Sequence, residues 1–135
     1  MKLPIEYKVE PKNLLDLMLA GDAKLTFISL HTQKHITFFI KGDKFQAYDY
    51  KVYYDNHFIG RLSNMQFQHY PKELPLSKEN EAFEWIWKYC CQPERMAKNL
   101  DIYHNGNCAR CGRVLTTPES ILIGLGPECV KLINK

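Results

Sequence analysis

The first 89 residues of this 135-residue chain contain no cysteine, and all five cysteines lie in the last third. Secreted disulfide frameworks usually have an even number of cysteines spread along the chain, so this pattern argues against one. There is also little excess charge: 18 Lys and Arg against 15 Asp and Glu give +3. This is far from the charge of a histone-like protein and argues against an acidic surface that mimics DNA. Cysteines clustered at short spacing instead indicate a metal site in a reducing compartment.

Long apolar runs are missing as well. No stretch approaches 18 apolar residues, so no transmembrane helix is predicted, and the N-terminal residues lack the apolar segment of a signal peptide. We therefore expect a soluble cytoplasmic protein that does not bind membranes. The composition is 45% hydrophobic and rich in Tyr and Phe, which excludes a disordered tail. The length suits one domain, or one domain with a small appendage.

The middle of the chain has the two-residue period of β-strands. A short helix over residues 11–21 precedes it, and Ser77 caps a helix over 77–92 whose aromatic face packs on the sheet. Four or five antiparallel strands are predicted at 24–30, 36–40, 45–54, 58–62 and 65–70. The fold class is therefore α+β, with a small antiparallel β-meander packed by helices as a first domain over residues 1–100.

Residues 101–135 carry a metal-binding pattern, His104-x3-Cys108-x2-Cys111-x17-Cys129. A Cys-x2-Cys pair followed by glycine is typical of a zinc knuckle, and Pro127 suits the first turn of a last helix that would carry Cys129. With His104 as fourth ligand the set is Cys3His, which is the closed tetrahedral set of a structural zinc site. We predict a treble-clef-like module that holds one Zn²⁺.

Other interpretations of the cysteines remain open. Cys90 and Cys91 compete with His104 for the fourth position, although both also suit ordinary thiols on the helix over 77–92. Three buried free thiols, an iron–sulfur site or a redox dithiol are the alternatives to zinc. No thioredoxin-like βαβ pattern surrounds the pair Cys108 and Cys111.

The C-terminal sequence resembles the C-terminal segment of a family of small, uncharacterised phage and prophage proteins. The shared pattern is H-x-G-x-C-x-R-C-G-R-x-L-T-x-P-E-S-I…G-x-G-P-E-C, which is present from His104 to Cys129. Weaker similarity extends upstream, so that the resemblance covers about residues 22–135. It implies a zinc-binding protein from a phage or its bacterial host, and it implies no activity.

Catalytic motifs are scarce. The sequence contains no paired carboxylates with a histidine, no Gly-rich phosphate loop and no nucleophile elbow. A zinc site with four protein ligands also lacks the open position that catalysis needs. We therefore predict a non-catalytic protein without a small-molecule substrate. A metal-dependent nuclease using Asp43, Asp49 and Asp55 is the alternative, but these aspartates suit turns better.

Two kinds of partner fit the chain. Arg110, Arg113 and Lys131 give the module a basic surface for phosphate, and aromatic side chains of the sheet could stack on unpaired bases: Tyr48, Tyr50 and Tyr54, together with Tyr53 and Phe58. Both features therefore predict nucleic-acid binding. The second prediction is a protein that binds and inhibits a bacterial host complex such as a defence system, in the manner of an anti-CRISPR, because exposed aromatic residues also anchor protein interfaces.

Overall fold

The structure is a computed structural model that describes residues 3–43, 45–46, 48–71 and 75–133; the ends of the predicted domains at residues 1 and 135 lie outside them. It confirms the α+β class. A six-stranded antiparallel sheet has the order β5-β4-β3-β2-β1-β6. The strands are β1 (Asp22–Ser29), β2 (His35–Gly42), β3 (Asp49–Tyr54), β4 (His57–Ser63), β5 (Gln66–His69) and β6 (Leu100–His104). The first five form the predicted meander.

In the described part of the chain, five α-helices accompany the sheet: α1 (Leu14–Met18), α2 (Lys78–Tyr89), α3 (Pro93–Asn99), α4 (Pro118–Ile123) and α5 (Pro127–Ile133). The hydroxyl of Ser77 accepts the backbone N–H of Asn80, so the predicted N-cap of α2 is confirmed. Helix α2 ends at Tyr89, three residues before the predicted end at residue 92, and Pro93 is instead the first residue of α3, because a proline is tolerated where no helical N–H bond is needed. Within the described residues, no helix combines the length and apolar character needed to cross a membrane.

The helices cover one face of the sheet. Along β1, Ala23, Leu25 and Phe27 are fully buried while the residues between them are not, as expected for a strand with one face in the core. Phe83 of α2 packs against Phe38, with ring centroids 5.1 Å apart. Burying one such ring stabilises the fold by about 1.5–3 kcal/mol. The opposite face of the sheet carries the alternate, more exposed residues of each strand.

The sixth strand was not predicted. β6 begins at Leu100, where we placed the end of the first domain, and pairs with β1 along the edge of the sheet. An isolated bridge from Lys8 to Tyr103 covers its other side. The motif residues that follow β6 therefore start directly from the edge of the sheet. Cys108 and Cys129 belong to the same cluster of buried residues as the strands of the sheet.

Candidate metal centre

The turn that carries Cys108 and Cys111 follows β6 and is closed by backbone hydrogen bonds. The N–H of Gly112 donates to the carbonyl of Cys108 at 2.9 Å, and the N–H of Cys108 donates to the carbonyl of Arg113 at 2.8 Å. Gly112 has φ +80°, and a Cβ there would lie 2.7 Å from Oδ2 of Asp22. The left-handed conformation therefore favours glycine, and a side chain at this position would also displace the carboxylate of Asp22.

Two short helices, α4 and α5, position the third cysteine, Cys129. Thr117 caps α4 by accepting the N–H of Ser120, and Gly124 ends α4 with φ +85°, as predicted. The carbonyl of Gly124 accepts the N–H of Ala109 at 3.0 Å, which fixes this corner against the first turn. Helix α5 then begins at Pro127 and carries Cys129 in its first turn.

The three cysteines converge. The Sγ atoms of Cys108, Cys111 and Cys129 lie within 4.8 Å of one another, so they could hold a metal ion. Cys108 and Cys129 are buried, and Cys111 is exposed. Zn–S bonds are about 2.3 Å long, so three sulfurs around one tetrahedral ion lie about 4 Å apart. The donor set therefore fits a thiolate-binding metal such as zinc.

Backbone amides prepare Cys108 for this role. The N–H groups of Arg110 and Gly126 point at its Sγ, at 3.4 Å and 3.3 Å. Burial raises the pKa of the Cys108 thiol, but hydrogen bonds from Gly126, Cys111 and Arg110 outweigh burial and lower the pKa to about 7. Hydrogen bonds to sulfur stabilise the thiolate, which is the form that binds metals.

Cys129 is held differently. Burial raises the pKa of its thiol, while Nη1 of Arg110 lies 3.7 Å from its Sγ. This guanidinium is the one charged group in contact with Cys129 among the described residues. Arg110 therefore directs part of its positive charge toward the cysteine cluster as well as toward solvent.

The predicted fourth ligand, His104, does not join the cluster, and this corrects the Cys3His set. Nε2 of His104 donates to the carbonyl of Ile121 at 2.6 Å, and Nδ1 accepts the N–H of Gly106 at 2.9 Å. The ring also stacks on Tyr7, with centroids 5.0 Å apart. Burial lowers the pKa of His104, so the ring is neutral, and both of its nitrogens are occupied. His104 braces α4 against β6.

Cys90 and Cys91, the alternatives to His104 as fourth ligand, also lie outside the cysteine cluster. The Sγ of Cys90 donates to the carbonyl of Trp87 at 3.2 Å, and burial raises its pKa to about 12. Cys91 is exposed at the end of α2. Among the described His, Cys, Asp and Glu side chains, none joins Cys108, Cys111 and Cys129. The three cysteines instead line a depression of about 370 Å³, which is also lined by Thr117, Ser120 and Glu128.

The residues predicted to contact a partner fall into two groups. Arg110, Arg113 and Lys131 are exposed on the module, and Tyr48 is 72% exposed in the turn before β3. Tyr50 and Tyr54 instead lie on the helix-covered face, which corrects the prediction that they stack on bases. The hydroxyl of Tyr50 donates to the carbonyl of Leu19 at 2.8 Å, and Tyr54 packs against Phe38 with centroids 6.2 Å apart.

The aspartates of the alternative nuclease site occupy turns and a strand end. Oδ1 of Asp43 accepts the N–H groups of Phe45 and Gln46, and Asp55 has φ +47° in the turn between β3 and β4. In the part of the chain that the structure describes, neither these two nor Asp49 joins a group of metal-ligating side chains. Their positions agree with the preference of aspartate for turns.

Comparison with known proteins places the module in context. Residues 99–134 match a family of unknown function, DUF6011. The match begins one residue before β6 and includes all three cysteines of the cluster, but it covers only 36 of the 135 residues, counting from 99 to 134. No curated protein and no solved structure matches the chain. The family match therefore coincides with the candidate metal centre and adds no activity to it.

The affinity for zinc should depend steeply on pH. The pKa of Cys108 is about 7 and that of Cys129 is raised, so protons compete with the metal for both sulfurs as the pH falls. We expect the apparent affinity to fall at least tenfold per pH unit below pH ~7. Competition with a zinc-chelating dye between pH 6 and 8 measures this dependence, and an affinity that does not change with pH contradicts binding through these thiols.

Proposed function

We propose that this chain is a small, non-catalytic zinc protein that binds nucleic acid through its C-terminal module. The convergence of Cys108, Cys111 and Cys129 around one point supports the metal. The exposed cations beside this cluster support an anionic partner. The resemblance of the motif to phage proteins supports a phage or bacterial setting.

The role we propose for zinc is structural. With His104 held by Ile121 and Gly106, the cluster supplies three sulfurs and leaves the fourth position open, so this proposal rests on the segments that the cluster joins and not on a closed ligand set. The module is short, and three segments meet at the sulfurs: the turn after β6, the corner at Gly126 and the first turn of α5. Zinc would link these segments through its bonds to the three sulfurs, in addition to the backbone hydrogen bonds between them, and in small domains such a link provides much of the folding free energy. Glu128 lines the depression but is not part of the cysteine cluster, so Glu128→Gln should leave the bound zinc unchanged.

The proposal of a nucleic-acid partner depends on the cations of the module. Arg110 and Arg113 flank Cys111, and Lys131 lies on α5 two residues after Cys129; all three are exposed. No salt bridge neutralises them among the described residues. Arginine at such positions can form paired hydrogen bonds to phosphate oxygens. The same zinc that holds the turn would then also hold the two arginines in place.

Replacing both arginines tests this proposal. We expect Arg110→Gln with Arg113→Gln to weaken binding to DNA about tenfold or more at ~50 mM salt, and to lower the slope of log K against log salt by about 1.4–1.8. Fluorescence anisotropy with labelled single-stranded and duplex DNA measures both quantities. Lys78→Gln with Lys98→Gln removes the same charge from exposed positions on α2 and α3 and is the matched control. Equal losses in the two double variants would contradict a specific role for the module.

A protein partner is the second candidate, and exposed apolar residues of the module favour it. Val114 is 74% exposed and Leu122 is 60% exposed, and apolar residues that remain in water are frequent at interfaces. In that case the target would be a bacterial host complex such as a defence system. Absence of binding to either form of DNA at ~50 mM salt, where phosphate contacts are strong, would favour this candidate.

A further inference from the structure

The face of the sheet opposite the helices is a second candidate surface. We call it the open face. It consists of the residues that alternate with the buried ones on β1 to β4: Lys24, Phe39, Lys41, Lys51, Tyr53, Phe58 and Arg61. The cysteine cluster does not include any of them. The open face combines aromatic and basic side chains. By the same alternation it also carries Asp22, opposite Lys41, and Asp49, two residues before Lys51, both at one end of the face.

Aromatic rings form a row across this face. Phe39 of β2 lies beside Tyr53 of β3 with ring centroids 6.2 Å apart, and Tyr53 lies 5.8 Å from Phe58 of β4. Tyr70 extends the row, 5.3 Å from Phe58, and is 58% exposed. A bulge in the β3–β4 pairing between Val52 and Tyr53 brings Phe58 opposite Tyr53. The rings therefore form one continuous apolar strip on an otherwise polar face.

Cations form a second row beside the aromatic one. Lys41 pairs with Lys51 across β2 and β3, and Lys51 pairs with Arg61 across β3 and β4. Lys24 lies at the end of the aromatic row, opposite Phe39. Like charges directly opposite each other destabilise a sheet, and none of these four cations has a salt-bridge partner within the described ranges. Lys41 has Asp22 as its other cross-strand neighbour, whereas Lys51 lies between two cations, so an anion across the row relieves repulsion at Lys51.

A shallow depression is lined by two residues of each row and also by Asp55. Its volume is about 650 Å³, and its lining includes Lys24, Phe39, Lys41 and Tyr53. Phe39 and Tyr53 each have a cation of the basic row two residues away on their own strand, Lys41 and Lys51, and Phe58 has Arg61 three residues away. The aromatic and basic rows therefore run side by side across neighbouring strands, which are about 4.8 Å apart.

We propose that the open face binds single-stranded nucleic acid, with unpaired bases on Phe39, Tyr53 and Phe58 and phosphates along Lys41, Lys51 and Arg61. A duplex offers no free base faces for the aromatic row, and the open face has no helix or ribbon that enters a groove. Aromatic side chains beside a basic row are the combination that single-stranded sites use. This inference rests on the proposed nucleic-acid binding and adds a surface that is distinct from the zinc module.

Two variants of the open face test the proposal against a labelled single strand of about 20 nucleotides at ~50 mM salt. Tyr53→Thr removes one ring and keeps a residue that favours strands; we expect affinity to fall about tenfold. Lys51→Gln with Arg61→Gln relieves repulsion, so the melting temperature should not fall. It should weaken binding and lower the slope of log K against log salt by about 1.4. Lys78→Gln with Lys98→Gln, on the helical side, should bind like the unmodified protein.

The possible results separate this inference from the proposed function. Full affinity in both open-face variants, with loss in the variant lacking Arg110 and Arg113, overturns the inference and supports the module. Loss in the open-face variants alone supports the inference and overturns the module as the binding site. A preference for duplex over single strand contradicts stacking on the open face, and no binding to any nucleic acid overturns both.

Discussion

Cys111→Ser should release the metal and unfold the C-terminal module. Cys111 is exposed, so its side chain contributes little to the apolar core and the substitution creates no cavity. A serine hydroxyl is a poor zinc ligand at neutral pH, because it does not ionise there. Binding free energy of a structural zinc is folding free energy, on the order of 10 kcal/mol in isolated zinc-finger peptides. The expected result is a loss of stability far larger than the exposure of the residue suggests.

Zinc content and thermal unfolding measure this effect together. We expect metal per chain to fall from about one to a small fraction, and the melting temperature to fall by roughly 10 °C or more. Cys91→Ser is the matched control, because Cys91 is also an exposed free cysteine and lies outside the cluster. If Cys111→Ser and Cys91→Ser behave alike, the cysteine cluster does not bind a structural metal.

His104→Ala should differ from Cys111→Ser in its effect on metal. We expect a large loss of stability but little loss of metal per folded chain. The ring joins Gly106 to Ile121 through two hydrogen bonds and stacks on Tyr7. A buried backbone group left without a partner costs about 1–3 kcal/mol, and an aromatic pair contributes about 0.5–1.5 kcal/mol. Two such groups and one aromatic pair together contribute about 2.5–7.5 kcal/mol.

Chemical denaturation and zinc analysis of the folded fraction separate the two roles of His104. Zinc close to one per folded chain, with a lower midpoint of unfolding, is expected for a bracing residue. His104→Gln provides a second test, because its amide can replace one of the two hydrogen bonds and should recover part of the stability. Loss of zinc from the folded fraction of both variants would restore His104 as a ligand.

Local signals in the sequence predicted most of the module. Thr117 and Gly124 mark the ends of α4, and Pro127 opens α5, because caps and prolines act within one turn of the chain. Gly112 after Cys111 likewise marks a turn that only a few residues define. The convergence of three cysteines could be predicted from these local features together with their spacing.

Features that depend on distant contacts could not be predicted in this way. His104 has ligand spacing in the sequence, but its partners Ile121 and Tyr7 come from other segments of the chain. β6 is five residues long and exists through its pairing with β1. The side of the sheet on which Tyr50 lies is set by the burial of Val52, two residues later in β3. In each case the deciding contact joins segments that are distant in the sequence, and the periodicity of the sequence does not predict such contacts.

X-ray absorption at the zinc edge on the full-length protein tests the central claim most directly. We predict one zinc per chain with three sulfur neighbours at about 2.3 Å and a remaining ligand that is not sulfur. Cys108, Cys111 and Cys129 supply the three sulfurs. Protein that contains no zinc, or zinc with no sulfur neighbours, would contradict the account.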